Sequence, residues 1–443
     1  MGKFIDLALH PLELRAAIQL KFFRTSIEGR DPSKESSNLK RCYELLKVTS
    51  RSFAAVIQEL HPELRNSVMV FYLVLRALDT IEDDMSIEKD VKVPLLRQFD
   101  SKLLTKDWTF DGNAITEKDR VVLVEFDKIL TEYHLLKSEY QDVIRDITKQ
   151  MGNGMADYIE NSDFNQNGLQ TIGDYDLYCH YVAGLVGDGL TRLIVLAKFG
   201  DSKLYEDLSL LESMGLFLQK TNIIRDYEED QMDGRAFWPR EIWGNYTDSL
   251  PNFLKKENQQ QGLYCISELV ANSLDHVIDV LKYLSLVEEQ TCFNFTAIPQ
   301  VMAIATLDLV YQNPEVFQRN VKIRKGTTCH LILEARTMSG VVSVFRHYIR
   351  SIHHKSDPRD PNYLRIGQTV GKIEQFIEQM YPRVPIGVIP ETTEIRQQVL
   401  KRQPLDSKME ALAKKEEIKA TLVLGSVLTV VLFVLYQGYT FCS

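Results

Sequence analysis

Asp79, Glu82 and Asp83 stand at i, i+3 and i+4 in the run Tyr72-Leu-Val-Leu-Arg76-Ala-Leu-Asp79-Thr-Ile-Glu82-Asp83-Asp84. In a helix these positions share one face. The apolar residues around them recur at helical spacing, which predicts a buried helix. Carboxylates converging on an apolar helix are costly unless something positive neutralises them. The pattern returns 147 residues later as Asp226, Glu229 and Asp230, in Gln219-Lys-Thr-Asn222-Ile-Ile-Arg225-Asp226-Tyr-Glu-Glu229-Asp230. Arg76 precedes the first triplet by three residues and Arg225 directly precedes the second. One acidic triplet is ordinarily a solvated helix face. Two copies with one spacing in apolar surroundings point to a shared site. Facing helices would gather six carboxylates, an oxygen donor set suited to Mg2+, which is held by a few carboxylates plus substrate phosphate oxygens. The chemistry this implies is that of a magnesium diphosphate.

Other stretches carry chemistry with two uses open. Ser50-Arg51-Ser-Phe53 reads as a capped helix start, or as a place where Arg51 reaches a diphosphate with its guanidinium fork. Gly184 and Gly187, after Tyr178-Cys-His-Tyr, weaken a helix and so allow close approach of another helix or of a long apolar substrate. Phe293-Asn-Phe295 leads toward Pro299, read as the first turn of a helix; its aromatic faces could pack in a core or stabilise a carbocation. Lys322-Ile-Arg324-Lys325 is the densest basic cluster of the folded part, either solvated or bound to a phosphate of a cofactor. Neither a P-loop nor Gly-x-Gly-x-x-Gly occurs, so a nucleotide would be held without them.

The elements that must position these residues are helices. Helical spacing runs through about 12–23, 39–60, 62–84, 138–160, 173–199, 207–230, 262–290, 297–312, 327–355 and 362–380, and no stretch sustains period-two alternation. The expected fold is all-α, a single large bundle forming one catalytic domain over residues 1–380. Residues 233–262, rich in Trp, Pro and Asn beside the second triplet, read as a lid or a surface loop. Residues 381–419 hold four prolines and many charges and read as a flexible tether. Ala420 to Cys442 has no charge, follows Lys414, Lys415 and Lys419, and is long enough for a C-terminal transmembrane helix with its basic flank in the cytosol. At 44% hydrophobic and 26% charged the chain can bury a large core. A net charge of -9 without a basic stripe argues against nucleic acid. Six scattered cysteines favour reduced thiols over disulfides or a zinc site. The N-terminus lacks the apolar run of a signal peptide.

Taken together, the stretches at Ser50–Val56, Tyr72–Asp84, Tyr178–Gly187, Met214–Asp230, Phe293–Phe295 and Ala297–Thr306 resemble the squalene/phytoene synthase family of head-to-head prenyl synthases, its fungal squalene-forming members above all. The resemblance implies the all-α isoprenoid synthase fold with a monomeric catalytic domain. The reaction would condense two farnesyl diphosphates to presqualene diphosphate, then reduce and rearrange it to squalene with NADPH, NADH being the alternative donor. This would be the first committed step of sterol (ergosterol) biosynthesis, on the cytosolic face of the endoplasmic reticulum membrane. Mg2+ would be held by Asp79, Glu82, Asp83, Asp226, Glu229 and Asp230. Tyr178 would act as the base of the first half-reaction and Phe295 would shield the cation of the second. Substrate would meet Ser50, Arg51, Phe53, Tyr72, Arg76, Gln219, Asn222 and Arg225. Cofactor would meet Arg51, Arg76, Arg225, Lys322 and Arg324. The chain departs from the family at Asp188, where an apolar residue is usual, and at Thr296, where cysteine is common.

Two rivals stand beside this reading. A phytoene- or dehydrosqualene-forming member would run the same condensation without reduction. A tail-anchored helical scaffold would have lost catalysis, which the intact triplets, Tyr178 and Phe295 argue against.

Overall fold

Where a helix is apolar all round it lies inside a protein, and where it is apolar on one stripe it lies on the surface with that stripe inward. Both kinds occur here. The computed structural model describes residues 10–385 and 387–442. Among the described residues the regular elements are helices, and the one extended pairing is an isolated bridge between Gly200 and Val287. Helix α1 (Pro62–Asp83) begins with Pro62, whose missing N–H costs nothing in a first turn, and buries the face bearing Leu64, Val68, Phe71 and Leu75. Helix α2 (Ile172–Cys179) opens with a capping box between Thr171 and Asp174 and runs through a π-turn (His180–Gly184) into α3 (Leu185–Leu196). Helices α4 (Leu208–Arg225) and α5 (Gln290–Val310) are buried on nearly all sides and form the centre of the bundle. Helix α6 (Met338–Lys355) packs on α5, and α7 (Glu394–Cys442) is a single long C-terminal helix.

Two glycines set how α3 and α4 cross. A Cβ on Gly215 would lie 2.5 Å from the carbonyl oxygen of Ala183, and one on Gly187 would lie 2.8 Å from that of Leu211. The helices therefore meet backbone to backbone, which is the helix-packing use of the glycines.

The structure corrects three expectations. Helix α5 starts at Gln290, not at Pro299, because Glu289 caps it by accepting from Cys292 N at 2.8 Å. Pro299 then lies inside, with no N–H to offer the carbonyl of Phe295 one turn back. The 233–262 link is not a loose lid: Trp238 is fully buried and its indole donates to Ile223 O at 3.0 Å, while Arg240 N and Glu241 N donate to Leu169 O and Gln170 O. Residues 394–419 are not a flexible tether. They are helical and docked, with Val399 in the core and the Arg336–Glu416 pair buried at 2.8 Å. Pro382, Pro385 and Pro390 precede this helix, and the charges read as solvated find partners on the body.

Gly215→Ala forces a methyl group against backbone that cannot yield. We expect it to lower stability by about 3 kcal/mol, the upper end for overpacking, seen as a lower thermal midpoint with the helix content unchanged. A neutral substitution would mean the crossing has slack.

Candidate active site

Helices α1 and α4 each present a stripe that begins apolar and ends polar. On α1 it runs Val68, Tyr72, Leu75, Arg76, Asp79; on α4 it runs Gly215, Leu218, Gln219, Asn222. With Val186 and Leu190 of α3 and Phe295 and Pro299 of α5, these stripes enclose a cavity of about 360 Å³. Its body is apolar and one end is charged. Phe53 closes a side, its ring 5.5 Å from that of Tyr72. Ser50 is the N-cap of the short helix bearing Phe53, accepting from Phe53 N at 3.2 Å. The side chain of Arg51 lies outside the described ones.

Asp79, Glu82 and Asp83 close α1, whereas Asp226 is the N-cap residue of a short helix (Tyr227–Met232) that follows α4 directly, with Glu229 and Asp230 in its first turn. The helix dipole is negative at a C-terminus, so it disfavours the first triplet, while a first turn is where carboxylates are favoured. The spacing survives a break after Arg225, since Asp230 N donates to Asp226 O at 2.9 Å. Arg76 lies 3.6 Å from Asp79 and donates to the Tyr72 hydroxyl at 3.2 Å. Arg225 grips Asp226 with two bonds of 2.6 and 2.7 Å. The fourth acid of the first run has another task. Asp84 accepts from Ser86 N and Ala114 N and from Asn113, which holds its carboxyl at about 2 and pins the neighbouring loop.

Desolvation and mutual repulsion push the other carboxyls up, Asp79 to about 7, Glu82 to about 8 and Asp230 to about 7, with Asp83 raised as well. These are acids gathered without enough positive charge. Among the described residues no three of them close tightly enough to chelate an ion unaided. Mg2+ does not require that, because it takes one or two carboxylates and completes its shell with water and phosphate. The six acids are thus the residues that could hold a divalent cation together with a diphosphate.

Two residues that spacing did not single out join the triplets. Arg235 lies 3.3 Å from Asp230, and its charge also bears on Glu82 and Asp83, so it sits between the two acidic groups. The turn that returns it runs through Gly234 at φ +72°. Asn320 donates to Asp226 at 2.5 Å and to Glu229 at 3.0 Å. A basic residue five positions after a triplet was a usable signal for Arg235; Asn320, 94 residues from Asp226, left none.

Tyr178 packs between Phe237, stacked at 4.8 Å, and Tyr158, edge-on at 5.3 Å, beside Glu82 and Asp230. Burial first, then these anions, raise its hydroxyl well above the ordinary tyrosine value. Arg235 acts in the opposite direction, and burial with the anions outweighs it. Lys322 and Arg324 do not line the apolar cavity. They face a second, open cleft of about 1060 Å³, where Glu13 accepts from Arg324 Nε at 3.1 Å. The segment that carries them reaches the acidic mouth through Asn320. Asp188 lies largely buried, 3.8 Å from Arg192, which Asp146 also holds at 2.5 Å.

The fold and site define an all-helical synthase of the isoprenoid type, with an apolar chamber under a polyacidic mouth. The sequence matches the squalene/phytoene synthase family model over residues 46–327. It is 67% identical to the squalene synthase of Cyberlindnera jadinii over 98% of this chain and 99% of that protein. It is 58% identical to that of Saccharomyces cerevisiae over 98% of each. The solved complex of TcSQS with the ligand E5700 is 41% identical and superposes with a TM-score of 0.74, covering 77% of this chain and 98% of that one. The chain belongs to the squalene/phytoene synthase family.

The raised carboxyls fix a pH dependence. Folded values of about 7 and 8 lie above the unfolded values near 4, so the native state binds more protons across that window. Metal-free protein should therefore lose stability as pH rises from about 4 through 8. In chelator, Asp79→Asn should melt above wild type at pH 8 and level with it near pH 4, and Mg2+ should raise wild type more than the variant. Melting curves across this range test the point; a difference independent of pH would refute it.

Proposed function

We propose that this protein joins two farnesyl diphosphates head to head into presqualene diphosphate and reduces that intermediate to squalene, a committed step toward sterols. The observation that carries the reading is the apolar cavity ending in a doubled acidic mouth. The squalene synthases it resembles over nearly full length support the same product. Asp79, Glu82, Asp83, Asp226, Glu229 and Asp230 would hold Mg2+, and the buried carboxyls of Asp79, Glu82 and Asp230, raised by desolvation and by neighbouring acids, fit that role. Bound Mg2+ would supply positive charge for the departing diphosphate. Arg76, Arg225 and Arg235 add fixed cations at the same mouth, where charge grows as the carbon–oxygen bond breaks. The walls from Phe53, Tyr72, Leu218 and Phe295 exclude water from the carbocation that results. The face of Phe295 offers its quadrupole to that cation.

Tyr178 is protonated beside the acids, so it takes up the substrate proton only once cations at the mouth lower its pKa. Gln219 and Asn222 supply the polar end of the chamber. The open cleft bearing Lys322 and Arg324, near His330, His347 and Lys355, is the anion-accepting surface for NADPH, with NADH as the weaker alternative. Bound NADPH would supply the hydride. Helix α7 carries the uncharged run 420–442, and Leu422, Val423 and Val427 are exposed and apolar just beyond the last buried residue of the stem. This supports a C-terminal anchor in the endoplasmic reticulum membrane with the bundle in the cytosol.

The test uses the full-length protein in membranes with farnesyl diphosphate and Mg2+. Squalene only with NADPH, and presqualene diphosphate without it, is the expected result. An unreduced hydrocarbon in both tubes would hand the assignment to the non-reducing branch of the family. The Asp79→Asn, Asp83→Asn double variant should lose at least about 100-fold in rate; a folded variant with full activity would leave the scaffold reading.

A further inference from the structure

The docked part of α7 touches the catalytic wall at one chemically definite place. Arg402 is buried, and its guanidinium lies 3.6 Å above the ring of Phe293. It donates to Val287 O at 2.7 Å and to Gln290 Oε1 at 3.0 Å, with Asp406 at 3.1 Å. Gln290 in turn donates to Asn294 Oδ1 at 2.8 Å and to Arg336 O at 2.9 Å. Asp406 accepts from Met338 N at 3.0 Å, and so caps α6, which packs on α5. A chain of side-chain bonds thus runs from Arg402 through Gln290 to Asn294, the residue before Phe295. From the other side the brace is missing, because Pro299 has no N–H for the Phe295 carbonyl. The turn that presents Phe295 to the cavity thus lacks one bond of its own helix and is braced by side chains from outside it. A buried guanidinium is also a poor choice for stability alone, since an apolar side chain of similar size serves as well or better.

We propose that Arg402 is a positioning residue for the second half-reaction, holding Phe295 against the cavity through Gln290 and Asn294, so that residues 394–420 belong to the catalytic body. This rests on the function proposed above, in which Phe295 shields the cation formed when presqualene diphosphate ionises. The stem is then a component of the site and not a spacer to the membrane.

The experiment compares full-length wild type with Arg402→Met, Gln290→Met, Arg402→Lys and Glu417→Ala in membranes with farnesyl diphosphate, Mg2+ and NADPH. Presqualene diphosphate, squalene and the thermal midpoint are measured together. Arg402→Met should keep presqualene diphosphate formation within about twofold and lower squalene formation about tenfold or more, so that the intermediate accumulates despite NADPH. Gln290→Met should show the same split, Arg402→Lys should recover part of it, and Glu417→Ala, which removes a half-exposed pair with Arg15 outside this chain of bonds, should match wild type. A wild-type product ratio in folded Arg402→Met overturns the proposal. So does an equal fall in both steps, which marks a role in stability only, or failure of both Met variants to fold. Wild type that forms no squalene defeats the function reading itself, and that is seen before any variant is compared.

Discussion

Carboxylates repel one another, and this chain gathers two groups of them, one at the end of α1 and one at the start of the short helix that follows α4. Much of the architecture answers that repulsion. Arg76 and Arg225 each hold an acid of their own triplet, Arg235 stands between the two groups, and Asn320 ties Asp226 to Glu229. Burial, and then the residual repulsion, still keep Asp79, Glu82 and Asp230 well above ordinary carboxyl values. A mouth built this way is poised for cations and hostile to anions that arrive without them. Substrate selection therefore begins before the apolar cavity is reached.

The cavity depends on a second constraint, which is that α4 and α5 have almost no solvent face. Two helices buried over most of their length must be wrapped, and the bundle wraps them with α1, α3, α6 and the docked stem of α7. The same burial that stabilises the fold leaves a dry chamber beside Phe295. Among the charged groups that enter the interior, Arg336 with Glu416 and Arg402 with Asp406 enter as pairs.

How far the sequence could be read follows from the range of each interaction. The triplets, their arginines, Tyr72, Gln219 and Asn222 were legible because helical spacing is local, and the structure brings them to one mouth. The all-helical class was legible for the same reason. Asn320 was not, since its partners lie in another part of the chain. The stem was misread because Arg402, Asp406 and Glu416 look solvated until their partners at Val287, Met338 and Arg336 are known. The 233–262 link was misread because its tryptophan and proline suggest a loop, while Trp238 is in fact a core residue donating to α4. Pro299 suggested a helix start because proline favours first turns, yet Glu289 had already supplied the cap ten residues earlier.

The glycine crossing of α3 and α4 has a bearing on chain-length selectivity. Along that wall the bore of the cavity is set by main chain in contact with main chain, at Gly187 and Gly215, and not by side chains that could be trimmed. Substitution there can only narrow the passage. A relative that accepts longer prenyl chains from the same scaffold would have to gain its room from lining side chains such as Leu190, Phe71 and Tyr283, which still have volume to give up. The width of the chamber is in this sense a property of the fold, and its depth a property of the sequence.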